Sequence, residues 1–219
     1  MAKHLLRDLE KLKKELLLLG AMVEDAAHKA VLSLVDRRGE LAKEVIEGDR
    51  DIDDKEVQVD EDCLKLLALH QPVAADLRFV VAAMKVNNDL ERVGDLAGNL
   101  AGRALFLAER EPIKVPAEIE KMAATVRAML RDSLTAFVQG DTDMARQVVE
   151  QDEEVDTQHK ELYGLFADRF RDQPDKVEFY IQLLSVSRYL ERMADLATNI
   201  AEDVVFMVDG DVVRHRTSW

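Results

Sequence analysis

An all-α fold, two tandem pseudo-symmetric three-helix bundles built from six long helices, is predicted by three features of the sequence. Four prolines and nine glycines among 219 residues, few aromatics, and plentiful Ala, Leu, Glu, Asp, Lys and Arg favour long helices over sheet. Apolar or small residues at Leu5, Leu9, Leu12, Leu16, Leu19, Val23, Ala26 and Ala30 step by four and three in turn, the seam of a helix in a coiled-coil-like bundle. Finally, the stretch from Leu90 to Ala101 is nearly repeated from Leu190 to Ala201, 100 positions on, which internal duplication explains better than chance.

Each helix has its own signals. The seam defines a first helix over about residues 3–37, ended by Arg37-Arg38-Gly39. A second starts near Glu40 and passes through Leu41, Val45, Ile52 and Val59 to His70, with Gly48 a place for a bend. Pro72 opens the third, over about 73–108, because proline suits a first turn and disfavours helix in the residue before it. Pro112 and Pro116 then make the clearest break, which divides the chain into 1–111 and 112–219. The plan repeats with helices over about 117–139, 142–171 and from Pro174 to about 209. Asp141 is the expected N-cap of the fifth, and the tail to Trp219 reads as irregular.

The formal net charge of −14 argues against a nucleic-acid partner, which requires clustered Lys and Arg, and favours cations or basic surfaces. Cys63 is the single cysteine, so no intramolecular disulfide forms, no Cys/His zinc pattern exists, and a reducing cytoplasm is expected. The start of the chain is charged throughout, and Leu16 to Leu19 is too short an apolar run for a signal or a span. Membrane contact is therefore expected to be peripheral and through partners.

The repeated stretch carries the chemistry. Glu91, Asp95 and Asn99, and likewise Glu191, Asp195 and Asn199, stand at i, i+4 and i+8, so each set forms one ridge of oxygen donors. A second pair precedes each ridge: Asp49 with Asp53, and Asp152 with Asp156. Asp53 lies 18 residues before Gln71 and Glu91 lies 19 after Pro72; Asp156 lies 17 before Gln173 and Glu191 lies 17 after Pro174. Antiparallel helices rise equally from their turn, so Asp53 belongs beside Glu91 and Asp49 beside Asp95, with the same arrangement in the second half. Val93, Ala97, Leu100 and Ala104 fall roughly opposite the ridge, which places the carboxylates on an outer face or in a groove.

One such pair reads as a wet acidic face. Four of them, level and duplicated, crowd like charges enough that a bound cation is the simplest compensation. Oxygen-only ligands suit magnesium, manganese, calcium or iron, whereas zinc more often brings His or Cys. Arg92 and Arg192, beside the ridges, are candidates to orient a carboxylate or bind phosphate bridging to a metal, with ordinary salt bridging as the plainer reading; with Asn99 and Asn199 they form a second rank of site residues. Asp156-x-x-His159 is the nearest approach to a di-iron motif, and His159 reads as a surface residue. His70 is expected to cap a helix end, and Asp76 to pair with Arg78. No phosphate loop, nucleotide fingerprint or catalytic Ser/His/Asp pattern is present, so the reading is non-enzymatic.

These residues resemble the PhoU family of phosphate signalling. The resemblance rests on Leu66-Leu67-Ala68-Leu69-His70-Gln71-Pro72-Val73-Ala74-Ala75-Asp76-Leu77-Arg78, on Asp89-Leu90-Glu91-Arg92-Val93-Gly94-Asp95, and on Tyr189-Leu190-Glu191-Arg192-Met193-Ala194-Asp195 with Asn199. It implies surface multinuclear metal clusters held by the acidic motifs in some members. It also implies negative regulation of phosphate uptake and starvation signalling, through contacts with the ATPase of the phosphate-specific ABC transporter and with a phosphate-sensing histidine kinase, and it admits a homodimer. Gly94 and Gly98 become Ala194 and Thr198 in the second copy, so metal occupancy is expected to differ there. The alternatives are a carboxylate-bridged metal-dependent hydrolase and a metal-free helical scaffold for basic partners.

Overall fold

In the computed structural model, which describes residues 2–210, the seam positions Leu9, Leu12, Leu16, Leu19, Val23 and Ala30 are buried, as their spacing requires. The described residues form α1 (Ala2–Val35), α2 (Gly39–His70), α3 (Ala74–Ala108), α4 (Ala117–Gln139), α5 (Thr142–Asp172) and α6 (Val177–Asp209), with a 3₁₀ turn at Pro174–Lys176. The expectation for the tail falls at residues 211–219, outside the described residues. No helix among the described residues is long and apolar enough to cross a membrane.

The helix ends differ from expectation for local reasons. Arg37 adopts φ 55 in the first turn, which stops α1 at Val35 and lets Gly39 begin α2. Gly48 does not interrupt α2. Pro72 precedes α3 rather than opening it: Gln71 is a left-handed C-cap and Val73 an extended N-cap. Asp141 caps α5 as expected, accepting from the backbone N–H of Asp143 at 3.0 Å and Met144 at 2.9 Å. His70 is no cap, since its Nε2 meets Asp8 Oδ2 at 2.9 Å and so ties α2 to α1.

Helices α1, α2 and α3 pack on one another, and so do α4, α5 and α6; the two sets join through α3 with α6 and α1 with α4. The order across the molecule is therefore α2, α3, α6, α5 in one layer, with α1 and α4 behind it. Sixteen residues each of α3 and α6 are buried, against seven of α2 and six of α5, which marks α3 and α6 as the central pair. They run antiparallel. Lys85 Nζ donates to Asp203 Oδ1 at 2.9 Å near one end, and Arg103 reaches Gln182 and Tyr189 near the other. Arg78 does not pair with Asp76 as expected but donates to the carbonyls of Met207 (3.0 Å) and Val208 (3.3 Å), complementing the C-terminal end of α6.

Asp203 is 2 % exposed, so its charge depends on Lys85 and its other contacts. Lys85→Met is expected to destabilise the protein by about 2 kcal/mol in urea denaturation, and Lys85→Met combined with Asp203→Asn to recover part of that loss.

Candidate metal centre

On α2 the buried stripe of Ile52, Val59, Cys63 and Leu66 faces the core. Asp49, Asp53 and Glu56 flank it along the edge that meets α3, each one turn from the next. On α3 the buried Leu90, Val93, Ala97 and Leu100 fix the rotation of the helix, which leaves Glu91, Asp95 and Asn99 along the edge facing outward. The second half is built alike. In each half one carboxylate from either helix is half-buried (Asp49 and Glu91; Asp152 and Glu191) and one is exposed (Asp53 and Asp95; Asp156 and Asp195).

Electrostatics shows which groups meet. The carboxyl of Asp49 is pushed up by burial and then by the charges of Asp53 and Asp95. That of Glu91 is raised by burial, then Asp95, Asp53, Glu56 and Asp49. Asp152 is pushed up to about 6 by burial, then Asp195, Asp156 and Glu191. Asp195 is raised by burial, Glu191 and Asp156, with Arg192 acting against them. The four carboxylates expected at one level are thus mutually repelling neighbours in both halves. Among the described residues, no three His, Cys, Asp or Glu side chains converge tightly enough to hold one ion.

Counter-charges near the clusters are few. Arg92 Nη1 lies 3.4 Å from Asp89 Oδ1, the plainer salt bridge, and Lys160 Nζ lies 3.3 Å from Asp156 Oδ2. Asn99 donates its Nδ2 to the carbonyl of Asp95 at 2.8 Å, and Thr198 Oγ1 donates to that of Asp195 at 2.7 Å, so both donors serve their own helix. The antiparallel α3–α6 pairing brings the two ridges together: Arg92, Asp95 and Asn99 face Arg192, Asp195 and Asn199 across an open cavity of about 440 Å³.

This architecture has close counterparts. The family model described as PhoU domain matches residues 16–104 and again 119–204. The chain belongs to the PhoU family. The phosphate-specific transport system accessory protein PhoU homolog of Aquifex aeolicus is 37 % identical, with 97 % of this chain and 96 % of the relative aligned. A homolog of the same description from Pseudomonas putida is 35 % identical over 95 % of this chain and 82 % of its own length. The crystal structure of PhoU from Pseudomonas aeruginosa superposes with a TM-score of 0.89 at 34 % identity, covering 94 % of this chain and 99 % of that one. That of the phosphate transport system regulatory protein PhoU from Streptococcus pneumoniae gives 0.88 at 31 %, over 95 % and 99 %.

At Gly94, one of the departures between the two PhoU halves, the packing is tight. A Cβ on Gly94 would lie 3.1 Å from Ile52 Cγ2 and 3.2 Å from its Cδ1, and Asp49 oxygens lie 3.7 Å from where a Cβ would stand on Gly94 and on Gly98. The first cluster therefore rests on bare helix backbone. In the second half Val155, which lacks a δ carbon, stands at the position of Ile52, and Ala194 at that of Gly94; both are buried. Two further groups at the first cluster extend the periodicity already legible but were not singled out: Glu56 continues the Asp49, Asp53 edge, and Asn87 lies one turn before Glu91. Asn87 Nδ2 donates to Glu56 Oε1 at 3.1 Å and to the Glu56 carbonyl at 2.9 Å. His159 is not simply a surface residue, since it is half-buried with Nδ1 closed off from solvent.

A carboxyl whose native pKa lies above its unfolded value binds its proton more tightly when folded. The Asp152 contribution therefore favours folding below the ordinary value of 3.8 relative to neutral pH, weakens as pH rises, and reaches its full penalty above about 6. In chelator-treated protein, Asp152→Asn is expected to stabilise by about 1 kcal/mol at pH 7.5, solvent screening included, and to change little below pH 4. Urea denaturation at both pH values checks the sign.

Proposed function

We propose that this protein is a cytoplasmic, metal-binding regulator of phosphate homeostasis that acts by contact rather than by catalysis. The observation that supports the metal reading is the duplicated cluster: in each half carboxylates from two antiparallel helices raise one another's pKa, with few cations in reach. The donors fit the group. All eight side chains, Asp49, Asp53, Glu91, Asp95, Asp152, Asp156, Glu191 and Asp195, offer hard oxygen ligands, and Asp49 lies over glycine backbone without steric hindrance. Iron, manganese, magnesium, calcium and zinc are the ions such sites accept. Neutralising the carboxylates would draw α2 to α3 and α5 to α6.

The phosphate part of the reading is supported by the relatives, whose names place them as accessory proteins of the phosphate-specific transport system. In this reading the protein restrains uptake and starvation signalling when phosphate is plentiful, by contacting the transporter's ATPase and a phosphate-sensing histidine kinase. The broad layer of α2, α3, α6 and α5, with both clusters on it, is the surface on which metal content would bear on such contacts.

Metal analysis of the purified protein is expected to show bound cations, and E91A/D95A with E191A/D195A to abolish them; unchanged content in the fourfold variant sinks the site. Deletion of the gene is expected to release phosphate-starvation genes from repression in phosphate-rich medium. Normal repression in the deletion strain would sink the regulatory role.

A further inference from the structure

One pole of the molecule gathers apolar side chains that the core does not use. It is the end where α1 begins, α2 turns into α3, α4 turns into α5 and α6 stops. His70 meets Asp8 there, Arg78 donates to the carbonyls of Met207 and Val208, and a Cβ on Gly140 would lie 3.5 Å from Val208. Leu69 and Val73, 76 % and 74 % exposed, are the most exposed large apolar residues among those described, and Leu6, Leu77 and Val208 are exposed at the same pole. Apolar groups gathered in this way mark a surface that something covers. The turn that carries Leu69 and Val73 is strained, since Gln71 and Ala74 hold left-handed φ of 45 and 49.

Carboxylates stand around these side chains. Asp76 lies in the first turn of α3, Asp141 and Asp143 at the start of α5, and Asp209 ends α6. Arg146 is shared between Asp143 and Asp209, at 4.0 and 3.9 Å, and Arg78 is taken up by the α6 carbonyls, so the α3, α5 and α6 side of the pole stays acidic. A segment that fits here is apolar and basic.

The chain itself supplies one. Gly210 ends α6 with the place of its missing Cβ 3.8 Å from Arg78 Cζ, and nine residues follow it: Asp211-Val212-Val213-Arg214-His215-Arg216-Thr217-Ser218-Trp219. Arg78 stands one helical turn from Ala74, about 6 Å along α3, whereas nine extended residues span about 30 Å, so the exposed pole lies well within reach. We propose that residues 211–219 cover this pole, with their valines and Trp219 against Leu69, Val73 and Leu77 and their arginines toward the carboxylates. The segment then acts as an intrachain guard: another protein that uses the same apolar surface has first to displace it. This inference is independent of metal binding.

Trp219 is the single tryptophan of the chain, so its fluorescence reports the contact directly in the full-length protein. Its emission is expected to lie to the blue of free tryptophan amide, with acrylamide quenching about threefold weaker, because the indole is packed on apolar side chains. L69S/V73S changes two exposed residues and is expected to keep the thermal transition while moving the emission to the red and restoring quenching. R214E/R216E is expected to act in the same direction. Removal of residues 211–219 should raise binding of the apolar dye ANS, and L69S/V73S in that background should cancel the rise.

Emission and quenching like those of free tryptophan amide in the unmutated chain overturn the proposal. So does a protected Trp219 that L69S/V73S leaves unchanged, which places the segment elsewhere. Protection that disappears on dilution also overturns it, because the segment then covers a second copy rather than its own chain.

Discussion

Everything distinctive about this molecule depends on the antiparallel packing of α3 against α6. Each is the most buried helix of its own half, and each carries an acidic ridge on the side that the core leaves open. Setting them side by side makes a continuous hydrophobic core and at the same time aligns the two ridges along one cleft. Polar anchors fix the alignment: the buried Asp203 against Lys85, Arg103 against Gln182 and Tyr189, and Arg78 on the last carbonyls of α6. Apolar packing tolerates sliding by a helical turn, and such directional contacts do not.

The clusters illustrate how a fold holds like charges together. Each carboxylate stands on a helix held by apolar residues on its far side, such as Ile52 and Val59 on α2 or Val93 and Leu100 on α3. Repulsion among side chains amounts to a fraction of that burial energy, so the helices stay closed while the carboxyl groups carry the strain as raised pKa values. Glycine at positions 94 and 98 lets the Asp49 edge approach closely in the first half, whereas the second half carries Ala194 and Thr198 there, with Val155 at the position of Ile52. The halves thus preserve the spacing of donors while changing the residues beneath them.

Much of this was legible because helices obey simple periodicities. The seam in α1, the six helices, the breaks near 37 and 110, the Asp141 cap and the level pairing of acidic residues all follow from step counts and turn chemistry. Other features escaped because they depend on partners distant in sequence. Arg78 lies beside Asp76 in the chain, yet it meets Met207 and Val208, 129 and 130 residues away. His70 was read from its turn and is held by Asp8, 62 residues earlier. Glu56 and Asn87 continue the acidic periodicity, but only their hydrogen bond separates them from the many other charged residues on the same helices.

The sequence by itself determined the six helices, their buried faces and which acidic residues of paired helices are neighbours, since these follow from local geometry and the rise of an α-helix. Tertiary structure alone decided that the two ridges share one cleft, that Asp49 rests on glycine backbone and that the His159 nitrogen is left without a partner. The reason is physical. Periodicity fixes which way a side chain leaves its own helix, whereas what it meets is settled by packing between helices that the chain brings together from a hundred residues apart.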